Sequence, residues 1–197
     1  MRKLKLIEHI SLDGVIEASG GPGDDGDFPY GDWTAPYRSP AGLAMVLPEW
    51  GERFDLLIGR RTYDQWSGFW PQAPKSPMAD RLNAATKYVV THRPESLEWG
   101  PFESIGPDLV EGVRRIKAKD GPDLIVSGSS TLTSALIEHG LADEMLLLVN
   151  PVLLGKGKRL FAEATPPRAL EFESTRATPT GIVATKYKFA GTLQNLR

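Results

Sequence analysis

The chain has no cysteine among its 197 residues, which removes disulfides, thiolate nucleophiles and zinc–thiolate sites together. Histidine is scarce. His9, His92 and His139 are far apart, with no second ligand at helical or strand spacing, so no metal site is expected. No apolar run approaches the roughly 20 residues that span a bilayer. The opening MRKLKLIEHISLDG places Glu8 and His9 inside its apolar stretch and lacks a small-residue cleavage site, so it reads as a first strand rather than a signal peptide. Net charge is only −2, which leaves no basic excess to attract nucleic acid or a membrane surface. These absences, with 41% hydrophobic residues, predict a cytoplasmic α/β globule of one domain over 1–197, long enough to bury a real core.

The pattern that is present alternates strands and helices. Residues 4–10 alternate apolar and polar, as a half-buried strand does. A Gly-, Pro- and Asp-rich stretch of about thirty residues follows, too long for a simple connection and so expected to be functional. Its DDGD run at 24–27 reads as a solvated loop, and its Trp33 and Tyr37 suit a lid closing over a flat ring. Leu43, Val46, Leu47, Trp50 and Phe54 have helical spacing, with a kink or restart expected at Pro48.

Short apolar strands are then predicted at 56–58, 88–90 and 124–126, with a weaker one within 98–105. Pro107 is expected to open a helix with Leu109, Val110, Val113 and Ile116 inward, and Leu132, Ala135 and Leu136 mark another that ends at Gly140. EMLLLVNPVLLG reads as a buried strand, and ALEFESTRAT with GIVATKYKFA as a terminal hairpin around Thr-Pro-Thr-Gly. Strands interleaved with helices predict a mainly parallel twisted sheet covered on both faces, ending in an antiparallel hairpin.

In such sheets ligands bind beyond the carboxyl ends of the strands. Three strand ends here are alike: Gly59, Arg60, Arg61 and Thr62; Thr91, His92 and Arg93; and Ser127, Gly128, Ser129, Ser130 and Thr131. Glycine admits close backbone approach, and free amides at a helix start carry partial positive charge. Serine and threonine hydroxyls add neutral donors, and arginine forks add charge for further phosphates. Together they predict a cradle for a diphosphate. The serine cluster lacks a Gly-x-Ser-x-Gly elbow, and no Gly-x-x-x-x-Gly-Lys-Ser/Thr loop occurs, so neither a serine hydrolase nor a phosphate-hydrolysing motor is expected.

The segments ISLDGVI, LLIGRRTYDQW, KYVVTHR, LIVSGSSTL and LADEMLLLVNPVLLGKGKRLF resemble, in this order, the reductase domain of the bifunctional riboflavin-biosynthesis deaminase/reductases. That is the RibD C-terminal family with its stand-alone relatives, within the dihydrofolate reductase superfamily. The likeness covers residues 3–189. It implies a three-layer dihydrofolate-reductase-like fold, NADPH as hydride donor, a small-molecule substrate and a homodimer. By position, Gly59, Arg60, Arg61 and Thr62 with Gly128, Ser129, Ser130 and Thr131 would hold the diphosphate, and Ser127 and Leu132 would flank them at the cofactor. Thr91 and Arg93 would lie by the adenosine ribose and its extra phosphate. Leu12, Asp13 and Gly14 would border the nicotinamide, with Asp13 as a substrate-orienting or proton-handling carboxylate or as the cap of a turn.

Dihydrofolate reductases carry an acidic residue early in the helix before the Gly-Arg strand. Here that helix begins SPAGLAMV, which argues against folate. The resemblance therefore implies hydride transfer to a heterocyclic, imine or carbonyl acceptor, akin to 5-amino-6-(5-phosphoribosylamino)uracil reduction, with Trp33, Tyr37 and Trp66 lining the substrate. The alternative is a non-catalytic NADP(H)-binding or sensory module of the same fold. Pairing through the apolar MLLLVNPVLLG segment is the expected route to a dimer.

Overall fold

The structure is a computed structural model, and it describes residues 1–18, 28–161 and 165–193. The DDGD run falls outside these residues. One eight-stranded sheet organises the molecule. Its strands are β1 (Leu4–Ser11), β2 (Asp55–Gly59), β3 (Lys87–Val90), β4 (Phe102–Ser104), β5 (Leu124–Val126), β6 (Glu144–Asn150), β7 (Arg168–Ala177) and β8 (Val183–Thr192), in the spatial order β4-β3-β2-β5-β1-β6-β8-β7. All neighbours from β4 to β6 are parallel, while β8 runs antiparallel to β6 and forms a hairpin with β7.

Alternation along the strands divides the core into two layers. Leu4, Leu6 and Ile10, with Leu57, Tyr88, Leu124, Val126 and Met145, face α4 (Leu109–Ala118) and α5 (Ser130–Glu138). Ile7, Leu56, Ile58, Val89, Ile125, Leu146 and Leu148 face α1 (Pro40–Trp50), α2 (Arg60–Phe69) and α3 (Pro77–Ala84). The result is the expected three-layer fold. β1 departs from the half-buried expectation because it lies between β5 and β6 with both faces covered; only Lys5 and His9 are partly exposed.

Local chemistry explains the helix ends. Ser39, Ser76 and Asp108 cap α1, α3 and α4 by accepting from the amides of Gly42, Ala79 and Glu111. Pro107 therefore precedes the cap rather than opening the helix. α1 continues through Pro48 instead of restarting, because that proline falls in its last turn, and the chain leaves at Gly51.

At the amino ends of the strands, buried polar groups pin the sheet. Arg2 bonds Asp55, the Pro122 carbonyl and the Tyr88 hydroxyl. Fully buried Lys87 donates to the carbonyls of Asn83 and Gly100, under the Trp99 ring. An open hollow of about 320 Å³ at that edge is lined by Lys3, Glu144, Arg168 and Lys188, with Lys3 paired to Glu144. It lies opposite the carboxyl ends of the strands.

No helix among the described residues is long and apolar enough to cross a membrane, and no group of histidines and carboxylates there could hold a metal. β6, the first part of the segment expected to pair between subunits, has both edges taken, by β1 and β8, while Leu153 beyond it is exposed. The edge strands of the sheet are β4 and β7; on β7, Leu170 and Phe172 are solvent-exposed.

Candidate functional site: a cradle at three strand ends

β3, β2 and β5 are neighbours, so their carboxyl ends open on one edge. Gly59 ends β2 and α2 begins at the next residue; Ser129 follows β5 and α5 begins at Ser130. The two helix starts are joined directly. The Ser129 hydroxyl accepts from the Gly59 amide at 3.0 Å and lies 2.7 Å from Thr62 Oγ1. A Cβ on Gly59 would sit 3.2 Å from Ser129 Oγ, so glycine permits this approach.

Gly128 and Ser129 both adopt left-handed backbone, at φ 72° and 59°. For a serine this conformation costs about 1–3 kcal/mol, and it persists only where surrounding bonds fix it. Gly128 is fixed from below. Its amide donates to Glu8 Oε2 at 2.8 Å, and its carbonyl accepts from Thr133 Oγ1 at 3.1 Å. Glu8 was read from sequence only as an argument against a leader peptide; the row Leu4, Leu6, Glu8, Ile10 already placed it on an inward face.

Neither α2 nor α5 has a side-chain cap, unlike the other three α-helices. The amides of their first turns have no intrahelical acceptor, so both present partial positive charge. The hydroxyls of Ser127, Ser130 and Thr131 have no hydrogen-bond partner among the described residues. The structure thus reassigns part of the expected cradle. Gly59, Gly128, Ser129 and Thr62 bond one another or Glu8 and set its shape, while the first-turn amides and the remaining hydroxyls face outward as donors. The Leu132 side chain is buried against the core.

The third strand end is tied in by Arg60. Its Nε bonds the Asp64 carboxylate at 2.7 and 2.9 Å, and its Nη1 donates to the Arg93 carbonyl at 3.0 Å and to Ser96 at 2.6 Å. The expected free fork is therefore a brace, because Asp64 stands one turn along α2. Thr91 Oγ1 accepts from the Arg93 amide at 3.0 Å. Arg93 is exposed, and no ion pair engages it among the described residues. Arg61 is exposed on α2.

The Leu12-Asp13-Gly14 turn ends β1 on the same edge. Asp13 accepts from the Ser11 hydroxyl at 2.6 Å and from the amides of Leu154 and Gly155 at 3.1 and 2.7 Å. The Ser11 hydroxyl, aided by those amides, holds its pKa down at about 2. A group ionised throughout the neutral range does not donate protons. Asp13 instead fastens the turn to the 152–160 segment, which is further stitched by Leu12 N to Val152 O and Leu160 N to Gly14 O. Of the roles expected for it, turn fixing agrees with this geometry, and proton donation does not agree with its ionised state.

The aromatic residues expected at the substrate do not stack on one another, although Tyr37 and Trp66 pack against the same core cluster. Trp33 is buried, its indole donating to the Glu17 carbonyl at 2.7 Å, so it seats the loop rather than presenting a ring face. Tyr37 is half-buried with its hydroxyl 3.4 Å from the Pro151 carbonyl, and Trp66 packs edge-on against Trp70. No ring–ring contact joins the three. The first turn of α1 carries no carboxylate, and Glu49, at its far end, pairs with Lys186.

A mainly parallel sheet with helices on both faces and an antiparallel terminal hairpin make a dihydrofolate-reductase-like fold. Residues 2–184 match the RibD C-terminal domain, and the chain belongs to that family. It is 27% identical to the uncharacterized protein YyaP of Bacillus subtilis (strain 168) over 195 residues, 96% of each chain. A putative riboflavin biosynthesis protein from Shewanella sp. PV-4 shares the fold with a TM-score of 0.72 at 21% identity, over 95% of this chain and 98% of that one. The dihydrofolate reductase of Enterococcus faecalis, solved with NADP(H), shares it with a TM-score of 0.60 at 17% identity, over 95% and 96%.

Proposed function

We propose that the protein is an NADPH-dependent oxidoreductase that reduces a small heterocyclic, imine or carbonyl compound in the cytosol. The observation that carries this reading is the Gly59–Ser129 contact, which joins two uncapped helix starts into one anion-binding edge. The residues fit a dinucleotide. The first-turn amides of α2 and α5, with Ser130 and Thr131, would hold the diphosphate, and exposed Arg93 with Thr91 would meet the adenosine end. The cofactor, when bound, supplies hydride. The chain's own part is to fix the Leu12-Asp13-Gly14 turn through Asp13, to shape the edge through Glu8, Gly128 and Ser129, and to orient the acceptor. Family membership supports the reductase reading, and the missing carboxylate in the first turn of α1 turns it away from folate.

Titration of the tryptophan fluorescence with NADPH and with NADH tests it. Saturable quenching by NADPH, weaker with NADH, is expected; no binding of either cofactor overturns the proposal. Oxidation of NADPH screened against pterins, aminopyrimidine ribosides and carbonyl panels then finds the acceptor. We further propose a homodimer, with Leu170 and Phe172 on edge strand β7 as the surface available for it.

A further inference from the structure

Glu8 is 2% exposed in the middle of β1, yet no cation among the described residues pairs with it. Oε2 accepts from the Gly128 amide at 2.8 Å, and Oε1 lies 3.2 Å from Thr133 Oγ1, itself 3.1 Å from the Gly128 carbonyl. Proton counting distinguishes two states of this ring. Thr133 has one hydroxyl proton and two acceptors within reach. If it donates to Gly128, the contact with Glu8 needs a second proton, and only the carboxylic acid can supply it. The neutral acid closes all three bonds; the carboxylate leaves two oxygens facing each other without a proton.

We propose that Glu8 is a positioning residue of the cradle: as a neutral acid it clamps Gly128 and Thr133 and so sets the left-handed turn through which Ser129 reaches Gly59. Its role toward a cofactor rests on the function proposed above; the clamp itself does not. Burial agrees with the neutral form, pushing the Glu8 pKa up to about 8 against the pull of Gly128 and Thr133.

The surroundings leave Glu8 alone to titrate. β5 brings Val126 and β6 brings Leu147 and Val149 to this layer. Glu144 of β6 is paired with Lys3 at the far end, and Glu138 of α5 is exposed at that helix's last turn. Lys158 and Arg159, after β6, lie against Glu17 and Asp13. His9 points to the opposite layer.

The test compares wild type, Glu8→Gln and Glu8→Leu by NADPH titration from pH 6 to 9.5 and by amide exchange of residues 127–132 without cofactor. Gln reproduces the clamp, since its carbonyl accepts from Gly128 and its amide donates to Thr133. Wild type should lose about tenfold in affinity as pH rises by one unit beyond the Glu8 pKa, because the competent form falls tenfold. Glu8→Gln should keep neutral-pH affinity and lack that fall; the cofactor's own titration cancels in the comparison. Glu8→Leu should bind at least about tenfold more weakly, as one charge-assisted or buried bond is lost, and exchange faster only at 127–132.

A Glu8→Gln profile identical to wild type overturns the proposal, as does a folded Glu8→Leu with wild-type exchange at 127–132. If Glu8→Leu does not fold, the Gln comparison still decides. Should wild type bind no NADPH, the function proposed above fails, while alkaline opening of 127–132, present in wild type and absent in Glu8→Gln, still supports the clamp. Its absence from wild type sinks the clamp.

Discussion

The Ser129 hydroxyl accepts a hydrogen bond from the Gly59 amide at 3.0 Å, across 70 residues of chain. Two segments remote in sequence become one edge through that bond. Ser129→Ala removes it together with the contact to Thr62, and should cost about 1–2 kcal/mol of stability. Ser129→Gly loses the same bonds but relieves the left-handed backbone, so it should be less destabilised by about 1 kcal/mol. Urea denaturation with an unchanged slope measures both. If Ser129→Ala unfolds at the wild-type midpoint, the brace is energetically empty.

Arg60 and Arg93 should differ. Arg93→Ala removes an exposed cation and should weaken NADPH about tenfold or more while sparing NADH, the expectation for one charge-assisted bond to the extra phosphate. Arg60→Ala also frees Asp64, Ser96 and the Arg93 carbonyl, so both cofactors should weaken. The double variant should lose far more NADPH than NADH affinity. Equal losses for the two cofactors would remove the arginines from phosphate recognition.

Asp13 predicts an acid effect of definite sign. Its folded pKa of about 2 lies below the ordinary carboxylate value, so its contribution is full above pH 4 and fades as pH falls toward 2. Asp13→Asn should be less stable than wild type at pH 6, with the gap closing toward pH 2. A constant gap down to pH 2 would contradict the role of the charge. Because Asp13 stays ionised, it should leave no inflection in cofactor affinity between pH 5 and 8.

Glu8 and His9 should oppose one another. Burial raises the Glu8 pKa to about 8, so its stabilisation is full below pH 4.5 and lost as pH rises to 8. Burial, with Arg38 nearby, lowers the His9 pKa to about 4, so its contribution is full above pH 6.5 and lost as pH falls to 4. Together they cancel between about pH 4.5 and 6.5 and leave a decline from 6.5 to 8. Thermal unfolding should show Glu8→Gln gaining stability from pH 4 to 6.5, then levelling. His9→Asn should decline across the whole interval from 4.5 to 8. Parallel curves for the two variants would discredit both assignments.

Sedimentation at increasing concentration should give a dimer for wild type. Phe172→Ser should shift it toward monomer without loss of fold, since that ring is 59% exposed. A strict monomer at high concentration would refute the assembly.

Much of the fold was legible because burial imposes a period on sequence. Leu56 to Ile58 and Leu124 to Val126 read as covered strands, whereas α3 had no counterpart in the pattern and the caps Ser39, Ser76 and Asp108 emerge only in the structure. The cradle was legible in its glycines and hydroxyls but not in its division of labour. Whether Ser129 reaches for a ligand or for Gly59 depends on the order of the strands, which no local pattern records. Asp64 and Ser96 take Arg60 for the same reason. Glu8 was hidden by its charge, which suggests an outward position, although its neighbours two places either side face inward. The fate of Asp13 was fixed by amides of Leu154 and Gly155, 141 and 142 positions away.

β5 sits between β2 and β1, although it is synthesised long after both. Until it slides into that slot, Gly59 has no serine opposite it and Glu8 has no amide to receive. A nascent or truncated chain ending before residue 124 thus holds only half a clasp. Dinucleotide capture would then report, in a single reading, that β5 has been inserted, and bound cofactor would lock it in place.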